Sequence, residues 1–286
     1  MRTEKEVYDL ILGVAKADER VRAAYMNGSR TNPNVQKDQY QDYDIVYVVT
    51  DTESFLKDKS WISVFGELAM LQEPDLNDIG LGMEMDFTRS YTWLMLFKDG
   101  NRIDLGIVTI EKMLEDYQND SLTVPMLDKD GILPQIPPAS DKDYWVKKPT
   151  AAKYNSCCNE FWWCQNNVVK GIARDELSYA MWMFNNVREM LHKMLDWYIG
   201  VKHDFNISPG KLGKFYKRLL PTDMYSLYEK TYSDSNYDSF WTSMFTAREL
   251  FRQTAVYVAE HFGYSYCHED DRNMTDYLYK VKSGEL

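Results

Sequence analysis

Between Asp128 and Pro149 the chain carries Gly131, Pro134, Pro137, Pro138 and Pro149 among charged residues. Proline removes a backbone donor and fixes φ, so this density forbids a regular helix or strand through the stretch. The sequence on its two sides differs in kind. Before it, short β-branched and aromatic runs alternate with helical spacing. After it, helix formers and aromatics continue for more than twenty residues at a time, over 150–173, 176–201 and 239–262. At 286 residues the chain is long enough for about two domains with real cores. The break therefore predicts an α+β unit over residues 1–135 followed by a helical bundle over 150–286.

Within the first part, Thr3 followed by Glu6 predicts a capping box, with Val7, Leu10, Ile11, Val14 and Ala15 at helical spacing behind it. Val21 to Asn27 is a short extended run ending at Gly28-Ser29. Tyr43 to Thr50 is a buried strand by its β-branched and aromatic content, Thr52 to Leu71 has helical spacing, and Tyr91 to Phe97 is a strand. Asp99-Gly100 is a hairpin signal that returns Asn101 to Thr109 antiparallel beside it, which excludes a purely parallel, doubly wound sheet. In the second part Pro209 and Pro221 stand where helices are expected to start.

Lysine and arginine number 33 against 44 aspartates and glutamates, a net charge of −11. Such a field repels nucleic acid and favours a cationic small molecule. The N-terminal MRTEKEVYDLILG lacks the apolar core of a secretory signal, and no run approaches a membrane span, so a cytoplasmic protein is expected with no membrane partner. Cys157, Cys158, Cys164 and Cys267 form no CxxC pair and are expected as reduced, buried thiols. The four histidines form no cluster, and no nucleophile elbow supports a hydrolase.

The chemistry-bearing set is Gly28-Ser29-Arg30, then Asp42-Tyr43-Asp44, then Asp104. Residues two apart on a strand share a face, so Asp42 and Asp44 point the same way, and side-by-side carboxylates are comfortable only with a cation between them. Asp104 alternates with Ile103 and Leu105 and reaches the same place if its strand neighbours that of Asp44. Three oxygen donors suit Mg²⁺, and the small residues of the Gly28-Ser29 turn let a triphosphate approach the backbone.

Gly-Ser, then Asp-x-Asp thirteen positions on, then a third carboxylate resembles the nucleotidyltransferase superfamily with the DNA polymerase β-like fold. DERVR at Asp18, GSRTN at Gly28, YQDYDI at Tyr40, IDL at Ile103, CCNEFW at Cys157 and VVKGIAR at Val168 are similar to the bacterial aminoglycoside 6-adenylyltransferases, the streptomycin-modifying family, over essentially the whole chain. The resemblance implies an N-terminal catalytic domain with a mixed sheet flanked by helices, a helical substrate-binding domain, ATP as co-substrate and an aminoglycoside acceptor. It implies that Asp42, Asp44 and Asp104 hold metal and carry catalysis, and that Gly28, Ser29 and Arg30 contact the nucleotide. Lys170 is a candidate triphosphate contact or a solvated lysine. Glu160 is a candidate acceptor contact or part of helix packing, and Lys211 and Lys214 are read as a solvated basic turn. The family pattern places an acidic residue where this chain has Trp182, so Trp182 is a candidate acceptor contact or a core residue, and Asp104 or Glu160 is left to deprotonate the acceptor hydroxyl. Alternatives are another acceptor, a lincosamide or a protein hydroxyl, or a catalytically silent binding module.

Overall fold

The computed structural model describes residues Met1–Leu286. Two compact units divide the chain, Met1–Asp143 and Tyr144–Leu286. In element order the first contains α1 (Glu4–Ala17), β1 (Val21–Asn27), β2 (Tyr43–Val49), α2 (Glu53–Leu56), β3 (Leu68–Gln72), α3 (Pro74–Gly80), β4 (Ser90–Phe97), β5 (Arg102–Thr109), α4 (Ile110–Asp116) and β6 (Val124–Asp128). The second contains α5 (Ala151–Ala173), α6 (Leu177–Lys202), α7 (Tyr216–Leu219), α8 (Thr222–Glu229), α9 (Tyr237–Phe262) and α10 (His268–Ser283). The fold class is α+β, with no helix long and apolar enough to cross a membrane.

The capping box closes α1: the Thr3 amide donates to Glu6 Oε2 at 2.8 Å, and the Glu6 amide to Thr3 Oγ1 at 3.3 Å. Val7, Ile11 and Ala15, one turn apart, bury that helix's apolar stripe. The sheet has six strands in the order β3-β4-β5-β2-β1-β6. Every neighbouring pair is antiparallel except β2 and β5, which run parallel. One face packs Ile45, Tyr47, Trp93, Met95, Ile103 and Leu105 against α1 and the aromatics Phe55 and Phe65. On the other face, Tyr25 and Val48 meet Met113 of α4 and Tyr117. Ile132, Leu133 and Ile136 of the proline-rich stretch pack on that second cluster, so this stretch is part of the first unit's body.

The segment Thr52–Leu71 is not one helix. After the single turn of α2, Asp58 caps a 3-10 segment, Lys59–Phe65, which ends at Gly66 with φ 131°, and the chain then becomes β3. Helix is abandoned because Trp61 is drawn onto the sheet, with Phe55, Phe65 and Trp93 edge-on at 5.1–5.9 Å.

In the second unit α5 and α6 form a long antiparallel hairpin. Gly171 is where they close: a Cβ there would lie 2.9 Å from that of Ala180. α9 adds Phe251, stacked on Phe161 with ring centres 3.6 Å apart. Pro221 immediately precedes α8, as its ring favours, whereas Pro209 leads into a 3-10 turn with Leu212 at φ 58° and starts no α-helix. Cys157, Cys158 and Cys164 are buried free thiols. Cys267 departs from that expectation and is exposed just ahead of α10.

Candidate active site

The parallel pairing of β2 and β5 brings the carboxylates together. Asp44 and Asp104 are register partners, and Asn27 of β1 stands opposite Asp44 on its other side. Strand alternation puts both carboxylates on the face opposite α1. They sit near the N-terminal ends of their strands, while α4 follows the C-terminal end of β5. Asp42, one residue ahead of β2, falls on the same face by the period of two.

The turn preceding them is built for close approach. Gly28 has φ 77° and ψ −158°, a conformation open in practice only to glycine. A Cβ there would lie 2.9 Å from Asp44 Cγ and closer still to its Oδ2, so the absent side chain makes room for the carboxylate. Ser29 opens a 3-10 turn, and the Thr31 hydroxyl sits between the carbonyls of Gly28 at 2.8 Å and Leu122 at 2.7 Å.

Arg30, a nucleotide contact by the resemblance, is engaged within the protein itself. It is 5% exposed, its Nε donates to the Asp42 carbonyl at 3.1 Å and its Nη2 to the Gln41 carbonyl at 2.7 Å, and its guanidinium lies 3.7 Å from the Tyr43 ring centre. Gln41 in turn donates from Nε2 to the Ser29 carbonyl at 3.2 Å. Arg30 and Gln41 therefore lace the Gly28-Ser29 turn to the backbone that presents Asp42.

Arg102 is the residue that motif reading overlooks. Two positions before Asp104 on the same strand, it forks onto that carboxylate with Nε–Oδ1 and Nη2–Oδ2 both 2.7 Å, and its Nη1 lies 3.5 Å from Asp42 Oδ2. The contact with Asp104 holds the guanidinium firmly charged. Asp44 has no such partner. Burial first, then the neighbouring Asp104 and Asp42, push its carboxyl up to about 6, and burial raises that of Asp42 as well.

Carboxylate oxygens are the donor type a hard divalent ion takes. As the side chains stand, no three convergent groups are placed to hold a metal ion, and Arg102 is what engages both oxygens of Asp104.

The remaining candidates belong to the helical unit and do not form one cluster. Glu160 and Lys170 are both exposed on α5, ten residues and so roughly 15 Å of helix apart. Glu160 Oε1 accepts from Cys164 Sγ at 3.1 Å. Trp182, on α6, is 67% exposed, which excludes the core reading of that indole. Trp163 on α5 is 64% exposed. Lys211 and Lys214 flank the exposed turn at Leu212, consistent with a solvated basic turn.

A family model described as streptomycin adenylyltransferase matches residues 1–281. Curated relatives include an aminoglycoside 6-adenylyltransferase of Bacillus subtilis, 39% identical over 274 residues and covering 95% of both chains. Another, from Campylobacter jejuni, is 38% identical over 283 residues, covering 99% of this chain and 96% of its own. A third, from Staphylococcus aureus, is 37% identical over 269 residues, covering 93% and 94%. Among solved structures, an aminoglycoside 6-adenyltransferase from Bacillus subtilis aligns over 99% of each chain at 35% identity with a TM-score of 0.48. With the family model spanning nearly its whole length and full-length relatives at this identity, the chain belongs to the streptomycin adenylyltransferase family.

Proposed function

We propose that this protein transfers the adenylyl group of ATP to a hydroxyl of a streptomycin-type aminoglycoside, at the 6-position, releasing pyrophosphate. The observation that carries the reading is the in-register pair Asp44–Asp104 on parallel strands, beside a glycine turn shaped around Asp44, in a chain of this family.

In this reading Met1–Asp143 is the catalytic unit and the helical unit binds the acceptor. Asp42, Asp44 and Asp104 would hold Mg²⁺. A divalent ion at such a site supplies neutralising charge for the attacking and leaving oxygens of an in-line displacement. The chain's own groups do the rest. Gly28 and Ser29 admit the phosphates close to the backbone, and Arg30 keeps the Asp42 carboxylate in place by holding its carbonyl. The acceptor hydroxyl gives up its proton to Asp104 or Glu160, and α-phosphorus bonds to that oxygen as the bond to the pyrophosphate oxygen breaks.

Lys170 serves as a triphosphate contact, and Glu160 as a partner for an acceptor amine or hydroxyl. Trp182 offers an exposed indole for stacking on a sugar ring, where the family pattern would place a charge. The protein's charge of −11 suits a polycationic acceptor. The test is pyrophosphate release over a panel of aminoglycosides and a lincosamide with ATP and Mg²⁺. Turnover confined to streptomycin-type acceptors supports the reading. Turnover with the lincosamide alone overturns the acceptor assignment, and release by Asp44→Asn at the wild-type rate overturns the site.

A further inference from the structure

We propose that Arg102 is a displaceable internal counter-cation, occupying Asp104 and Asp42 until a divalent cation takes its place, so that it sets the metal affinity of the site. The inference rests on the reading of these carboxylates as metal ligands and adds to it a role for a residue outside the motif.

Two arginines lie beside the cluster, and their surroundings differ. Arg30 is buried, bonded to two main-chain carbonyls and covered by the Tyr43 ring, so it is part of the framework. Arg102 has a side chain 41% exposed and is held by carboxylates alone, Asp104 through two hydrogen bonds and Asp42 through one longer contact. It can therefore swing to solvent without opening the fold.

Its contacts are also the ones a metal needs. An arginine fork uses both oxygens of a carboxylate in two charge-assisted hydrogen bonds. An ion ligated by Asp104 must replace at least one of those bonds and overcome the positive charge. Asp44, whose carboxylate no arginine contacts directly, remains open as the first point of attachment. Arg102 thus keeps the metal-free cluster from carrying three unbalanced charges, at the expense of weaker ion binding.

The experiment is Mn²⁺ binding to the full-length protein, followed by the electron paramagnetic resonance signal of free Mn²⁺, for wild type, Arg102→Met, Arg102→Lys and Asp44→Asn. Melting temperatures with and without Mn²⁺ are recorded in parallel. Removing a partly exposed charge-assisted fork is expected to tighten Mn²⁺ binding on the order of tenfold in Arg102→Met. That variant should melt lower without metal and gain more from its addition. Arg102→Lys keeps the charge and loses the fork, so its affinity should fall between the two.

Unchanged or weaker binding in Arg102→Met overturns the proposal, as does a failure of both wild type and Arg102→Met to bind. A lysine variant equal to wild type overturns the claim of occupancy and leaves only a charge effect. Adenylyl transfer by the wild type, measured separately, keeps the two questions apart. Absence of transfer alongside the predicted order of affinities refutes the proposed function and leaves the role of Arg102 standing.

Discussion

Gly28→Ala tests the geometry on which the site depends. Two separate costs act at this position. The backbone at φ 77° and ψ −158° is strained for any residue with a Cβ, by about 1–3 kcal/mol. The new methyl would also lie 2.9 Å from Asp44 Cγ and closer to its Oδ2, so the carboxylate must move. If the backbone yields, that strain and about 1–3 kcal/mol of overpacking add to about 2–6 kcal/mol, on the order of 10 °C of melting temperature for a unit of this size. If Asp44 rotates away, the stability loss approaches the strain alone. In either case the turn and the carboxylate are displaced relative to one another by about 1 Å, a misplacement that costs roughly a hundredfold in rate. Gly263→Ala is the control for positive φ without crowding, since Gly263 has φ 69° and ψ 29° with no atom within 4 Å of a Cβ, and should lose stability only. Thermal melts and adenylyl-transfer kinetics on both variants decide the matter. Wild-type kcat/KM in Gly28→Ala, whatever its melting temperature, would mean that the Gly28 cradle does not position Asp44 for the reaction.

Further outcomes are expected elsewhere. Asp196 accepts from the Tyr216 hydroxyl at 2.7 Å, yet burial pushes its carboxyl up to about 6. The folded state then binds that proton more tightly than the unfolded chain does, so this residue's contribution to stability falls as pH rises from about 4 to about 6. Asp196→Asn should abolish that dependence and stabilise the protein at pH 7 by on the order of 2 kcal/mol, read from urea titrations at several pH values. Gly171→Val forces α5 and α6 apart at Ala180 and should cost about 1–3 kcal/mol by the same titration. Trp182→Asp, at an exposed position, should leave the melting temperature within about 2 °C and raise kcat/KM for streptomycin by up to about tenfold. A large loss of stability without that gain would count against an acceptor role.

The sequence shows some of this plainly and hides the rest for physical reasons. β4 and β5 announce themselves because each buries one face and so alternates, and β2 because its β-branched and aromatic run is buried on both faces toward its end. β3 does not: it is an edge strand from which no side chain is fully buried, and its Leu-Ala-Met-Leu continues the helical spacing begun at Glu53. β6 contains Pro125, tolerated at the opposite edge and misleading in a linear reading. The shared face of Asp42 and Asp44 follows from the strand period alone. That Asp104 joins them depends on β5 lying parallel to β2, a tertiary fact no local pattern contains. Arg102 obeys the same period-two rule as Asp104 and was legible in principle, but it belongs to no motif. Arg30 after Gly-Ser reads by resemblance as a nucleotide contact, and only the fold reveals that it is buried against Tyr43.

The reaction product reports directly on adenylyl transfer. Protein, ATP, Mg²⁺ and streptomycin are incubated together, the reaction is analysed by mass spectrometry, and the modified position is located by phosphorus–proton correlation in NMR. The expected product carries one adenylyl group per drug, on the 6-hydroxyl, with pyrophosphate in equal amount and none formed by Asp44→Asn. An unmodified drug, a phosphorylated drug with ADP, or adenylylation surviving in Asp44→Asn would contradict the proposed function.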